Sequence, residues 1–258
     1  MAITTEQVKE LRDKTGVSVM QCKKALEEAG GDMEKALLIL KKKSTEIAAK
    51  KSDREATAGV IVKAEKNGFA LLLTLRCETD FVAKNADFVA IATTLASAAL
   101  EQGKAAAEAM APELISAGIQ KLGENLQLGE IVVMEAPVVG VYVHDGRVGT
   151  MVGLSGGNQE VAKDIAMHVA AMNPEYKTRA DVPEEAKTNV KALFAEEVAK
   201  SGKPADIQEK MLAGKLDTFF KERTLVDQPF IKNPDQTIEK LLAANSATLV
   251  GFVRVATA

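Results

Sequence analysis

A chain of 258 residues, 47% hydrophobic and 27% charged, can form one large domain or two smaller ones with a real core. Its formal charge of −3 supplies no overall pull toward nucleic acid or an anionic membrane. An aromatic content of 4% without Trp leaves few platforms for stacking bases, so direct nucleic-acid binding is not expected. Cys22 and Cys77 lie in different segments and no CxxC occurs; neither a disulfide framework nor a zinc site is encoded, which suits a reducing cytosol. The opening MAITTEQVKELRDK is charged from Glu6 on and lacks a signal peptide's apolar core. No apolar run is long enough to span a bilayer, and a cytoplasmic location without membrane contact is the expectation.

Residues 1–40 read as a three-helix module. Thr4 with Gln7 and Ser18 with Gln21 are capping signatures, Gly30–Gly31 stop the second helix, and Asp32 can cap the third. Val8, Leu11, Ala25, Leu26, Met33, Ala36, Leu37 and Leu40 fall at helical spacing for a small core. Residues 41–56, KKKSTEIAAKKSDREA, carry almost nothing to bury and read as a basic linker. It is either a solvated helix or a docking strip for an acidic surface.

An internal repeat organises the rest. AGVIVKAEKNGFALLLTL predicts two strands around Asn67–Gly68, and VGVYVHDGRVGTMVGL two strands around Asp145–Gly146, dipeptides that supply the positive φ of tight hairpins. Each hairpin is followed by a helix, Val89–Leu100 or Val161–Met172, and closed by a later strand, Glu130–Glu135 or Thr248–Val255. The fold class is therefore α+β: residues 57–138 and 139–258 form two similar β-β-α-β halves. Within the second, residues 182–223 predict an antiparallel helical hairpin, with an Asp181–Glu184 capping box and a stripe Val190, Leu193, Phe194, Val198 facing Ile207, Met211, Leu212, Phe219 and Phe220.

The two halves differ at one junction. The second passes from strand to helix through the short turn SGGNQE, whereas the first holds RCETDFVAKNAD, about six residues longer than such a connection requires. TDFVAK is thus an addition to a scaffold that closes without it, which points to function. Phe81 in it is either tucked into the core or directed at something outside.

Catalytic and metal-binding patterns are scarce. GLSGG (Gly153–Gly157) matches a nucleophile elbow, but its strand belongs to an Asp-Gly hairpin and the only later histidine, His168, lies within the following helix. No phosphate loop and no dinucleotide fingerprint occurs. His144 and His168 have no neighbouring carboxylate or cysteine cluster, so no metal and no cofactor is expected. His144 flanks a turn, as a solvated residue or as a partner contact.

VKELRDKTGVSVMQCKKALEEAGGDMEKAL, TDFVAK and KLGEN (Lys121–Asn125), with HVAAMNPEY, SGKP and DQPF in order, together resemble the bacterial elongation factor Ts family across essentially the whole chain. The resemblance implies a ubiquitin-associated-like N-terminal module and guanine nucleotide exchange on elongation factor Tu, from which GDP is displaced, without covalent chemistry. By the same resemblance Thr79, Asp80, Phe81 and Val82 would enter the partner's nucleotide domain and disturb its magnesium site, with Phe81 as the apolar wedge. Arg12, Met20 and Lys23 would dock the module, Lys51 would add a contact, and Leu122, Gly123 and His144 would bear on the partner from the core. Lys232 replaces an often apolar family position, and family members that continue past the last strand carry a further helix. Two other readings stand beside this one: an adaptor whose three-helix module binds peptides or ubiquitin-like domains, and a hydrolase using Ser155.

Overall fold

The computed structural model describes residues 3–257. Helices α1 (Thr5–Thr15), α2 (Val19–Glu28) and α3 (Met33–Lys51) make the N-terminal module. Thr4 and Gln7 form the full reciprocal box, each side chain accepting the other's backbone N–H at 3.2 and 3.0 Å. Asp32 caps α3 by accepting the Lys35 N–H at 3.0 Å, and that bond holds its carboxyl below the usual carboxylate range. Leu11, Cys22, Ala25, Leu26 and Ala36 close a small core of their own.

The basic stretch expected as a linker from Lys41 begins inside α3, which runs unbroken to Lys51. Alanines, lysines and a glutamate favour the helix, and no Gly or Pro interrupts it. One face has something to bury after all: Ser44 is buried, and Ile47 and Ala48 pack against the core of the first half. The helix therefore joins module to core as a strut.

In the first half β1 (Ala58–Lys66) and β2 (Phe69–Cys77) pair antiparallel, with Asn67 at φ 47° and Gly68 at φ 79° in the turn. Three helices follow: α4 (Asp80–Ala83), α5 (Ala86–Gln102) and α6 (Lys104–Leu122). Then β3 (Gln127–Glu135) returns to the free edge of β2, giving the order β1-β2-β3. The helix α6 is an addition to the simple β-β-α-β expectation. Its alanine-rich sequence has little amphipathic contrast and it carries Pro112 inside, the residue that usually argues against a helix. It packs on α5 through Gly118, where a Cβ would come within 2.7 Å of Ile91 and 2.8 Å of Leu126.

The second half repeats the plan. Strands β4 (Val138–His144) and β5 (Val148–Gly156) meet around Asp145 (φ 50°) and Gly146 (φ 67°), and α7 (Gln159–Met172) follows. After the hairpin α8 (Glu184–Ala199) and α9 (Ala205–Arg223) come β6 (Pro229–Phe230), β7 (Asn233–Thr237) and α10 (Ile238–Ala244). Then β8 (Ala247–Ala256) pairs with β5, giving the order β4-β5-β8. Ile61, Leu72, Val139, Val141 and Met151 form the apolar layer between the two sheets. The Ile61 N–H donates to the Gly146 carbonyl at 2.6 Å, tying the second hairpin turn to β1.

One expectation for the helical hairpin is corrected. Asp181 does not box with Glu184; it accepts the Thr178 N–H and hydroxyl at 2.9 and 2.7 Å, closing a short 3-10 turn. Pro183 stands at the N-cap of α8 and makes no side-chain cap, because its ring carries no hydrogen-bond acceptor. The two apolar stripes do face each other, with the Phe194 and Phe219 rings 6.5 Å apart, but they are mostly half-buried: only Val198 is fully buried, while Leu193 is 62% and Ile207 40% exposed. An open groove runs between the helices over Val190, Phe194, Met211 and Phe219. The hairpin is fixed at its root instead, where Arg179 donates to Asp227 at 2.9–3.1 Å and to Asp217 at 2.8 Å.

His168, on α7, is buried. The Ile231 N–H donates to its Nδ1 at 3.3 Å, so Nε2 carries the proton and donates to Gln228 Oε1 at 2.9 Å. Burial pushes its pKa below the ordinary 6.5, and Gln228 only partly opposes this. The unfolded state therefore takes up the proton first as pH falls. The stabilisation is complete above about pH 6.5 and is lost on acidification below it. The urea midpoint should drop from about pH 7.5 to about pH 5.5, and drop less in His168→Gln. Equal drops would contradict this account.

Candidate functional site

Strand β2 ends at Cys77, and the next residues are where the chain departs from its own repeat. The Thr79 side chain caps α4, accepting the Val82 N–H at 3.4 Å. Six residues on, Asn85 caps α5, accepting the Asp87 N–H at 2.9 Å. Between the two caps the chain has room for a single helical turn. Val82 and Ala83 turn inward and pack on the core of the first half. Asp80 and Phe81 occupy the outer face, and the Phe81 ring is 84% exposed. Of the four residues expected to act together here, Val82 thus supports the turn from below, and Phe81 is the large apolar group it presents. An aromatic side chain held almost wholly in water contributes almost nothing to the packing of the fold.

The turn is held from behind by KLGEN. One oxygen of the Glu124 carboxylate accepts the N–H groups of Glu78 and Thr79, both at 3.0 Å, and the other accepts the Thr79 hydroxyl at 2.6 Å. The tie is reciprocal, since Glu78 accepts the Asn125 N–H at 2.6 Å. That bond, aided by Arg54 at 3.4 Å, keeps the Glu78 carboxyl below its usual range. Buried Asn125 donates from its amide to the carbonyl of Arg54 at 2.7 Å, just past α3. Lys51 donates to the carbonyl of Gly123, whose φ of 82° ends α6. Lys121 pairs with Asp87 at 2.7 Å and crosses over Gly16, where a Cβ would come within 2.7 Å of its Cε. Five consecutive residues thus touch the N-terminal module, the end of α3, the exposed turn and the start of α5.

This brings together Thr79–Val82, Lys51 and Leu122–Gly123, which lie far apart in sequence. Arg12, Met20 and Lys23 stand elsewhere, exposed on α1 and α2, with Met20 at 61% and Lys23 paired to Glu27 at 3.8 Å. None of them joins the hydrogen bonds that unite the others. His144 ends β4 on the second half, exposed, its Nδ1 3.0 Å from the Tyr142 hydroxyl. Glu78, Glu124 and Asn125 escape a reading of the sequence; the only signal for them is their place inside or beside CETDF and KLGEN.

The Cys77 thiol is pushed up to about 12, by burial first and by the Glu124 carboxylate second, so it stays protonated and unreactive at neutral pH. Among the described residues no group of three or more His, Cys, Asp or Glu is placed to hold a metal ion. Ser155 is no nucleophile elbow: its strand is flanked antiparallel by β4 and β8, and both ring nitrogens of His168 are already engaged. No described helix is long and apolar enough to cross a membrane.

Residues 78–258, starting at this turn, match the family described as Elongation factor TS. Over 98% of its length the chain is 43% identical to an Elongation factor Ts of Marinobacter nauticus, with 90% of that protein covered. The corresponding protein of Saccharophagus degradans is 42% identical over 98% of the chain, with 91% of the relative covered. That of Cellvibrio japonicus is 43% identical, with 98% and 90% covered. The family match and the relatives together define a translation elongation factor. The chain belongs to the elongation factor Ts family.

Proposed function

We propose that the chain is the guanine nucleotide exchange factor of elongation factor Tu, acting in the cytoplasm. It displaces GDP by pressing Asp80–Phe81 into the partner's nucleotide domain, where the intrusion disturbs the magnesium and phosphate site. The observation that carries this reading is the exposure of Phe81 on a turn tied down from behind. Nucleotide on a GTPase is held chiefly through magnesium and phosphate contacts. A protein that binds the empty state more tightly must weaken nucleotide binding by the same free energy, whatever the route. Contact alone is therefore enough, and no bond need be made or broken by this chain. Arg12, Met20 and Lys23 supply docking area on the N-terminal module, with Lys51, Leu122, Gly123 and His144 as further contacts.

Gel filtration with elongation factor Tu tests the proposal. A complex should form without nucleotide and come apart as GDP is added. Replacing Arg12 and Lys23 together by Ala should weaken it, and added salt should shrink the difference. A partner that elutes separately even when free of nucleotide would refute the proposal.

A further inference from the structure

We propose that Glu124 is the positioning residue for Phe81 in the exchange reaction proposed above, a reading on which this inference rests. Four-residue α4 cannot hold itself, because one helical turn fixes several dihedrals for one or two hydrogen bonds. Its geometry is set by its cap, Thr79, and the cap is set by Glu124. The match of groups is complete in kind: a carboxylate, which only accepts, meets two backbone N–H groups and a hydroxyl that can all donate. Those N–H groups belong to the first residues past the end of β2, where the sheet ladder offers them no partner. Glu124 is itself held on both sides in sequence, through the Gly123 carbonyl by Lys51 and through Asn125 by Glu78 and Arg54. Phe81 is thereby referenced to α3, and through it to the docking module.

Reach and charge can be separated at this position. Glu124→Gln keeps the reach: its oxygen can accept both N–H groups while its amide donates to the Thr79 hydroxyl oxygen. Glu124→Asp keeps the charge but withdraws the carboxylate by one methylene. Positioning predicts that Gln behaves as native and Asp does not.

Two readouts test it on the full chain. The first needs no partner: hydrogen exchange at the Glu78 and Thr79 amides should be accelerated about tenfold or more in Glu124→Asp and stay near native in Glu124→Gln. Native protection in the Asp variant overturns the inference, even if the chain proves inert toward elongation factor Tu. The second is GDP release from elongation factor Tu. In Glu124→Asp the saturating rate should fall about tenfold, while the half-saturating concentration moves by less than about threefold. Glu124→Gln should restore the rate. A native rate in the Asp variant, or loss in Gln with retention in Asp, overturns positioning and assigns the residue's part, if any, to its charge. Failure of the native chain to release GDP would instead count against the exchange reading, and the amide result would still decide whether Glu124 holds the turn.

Discussion

Phe88→Ala should lower the unfolding free energy by about 3–5 kcal/mol, whereas Phe81→Ala should change it by less than about 0.5 kcal/mol. The two phenylalanines are seven positions apart, in one segment of one half. Phe88, on α5, is 0% exposed and sits in the core with Leu71, Leu75 and Leu95, so truncation leaves a cavity those side chains can only partly fill. Phe81 loses no packing when cut back, because nearly all of its surface is already in water. Urea unfolding of the two variants is the check. A large loss at Phe81 would return it to the core and remove the structural basis of the proposed function.

Gly140→Ala should cost about 3 kcal/mol, near the upper end of what overpacking usually does. A Cβ at Gly140 would lie 2.1 Å from the carbonyl carbon of Ala162 and 2.3 Å from its oxygen. These are backbone atoms of α7, and no rotamer change can move them aside. The helix would have to lift from β4, opening the core of the second half along Val161 and Ile165. Gly214, inside α9, is the matching control, with nothing within 4 Å of the position its Cβ would take. There Gly→Ala should stabilise by up to about 1 kcal/mol, as helix propensity alone dictates. Similar thermal shifts for both substitutions would contradict the packing described for β4 and α7.

The features legible in the sequence are those written locally. Asn67–Gly68 and Asp145–Gly146 adopt the positive φ that their residue types favour, and the capping residues Thr4 and Asp32 do what their spacing implies. Long-range choices are not written locally. Nothing local in KKKSTEIAAKKS tells that Ile47 and Ala48 will find a core, or that α3 will run on from the module to pack against α6. The stripe on α8 and α9 has helical period, yet a period says which residues share a face and not whether another face covers it. At the site, comparison of the two repeats singled out TDFVAK because one half lacks it. Glu124 could not be found that way, because it acts on backbone N–H groups 45 and 46 residues earlier, and those have no residue type to betray them. In the sequence KLGEN is only a string; its hydrogen bonds explain why its parts go together.

GDP release from elongation factor Tu at saturating Phe81→Ala is the most direct test of the claim that an exposed wedge drives exchange. Saturation removes any difference in docking, and the substitution spares the fold, so the rate reports the wedge alone. The account predicts release well below that produced by the native chain, with a further deficit when Asp80 is also replaced by Ala. A native rate from the well-folded variant at saturation would contradict it.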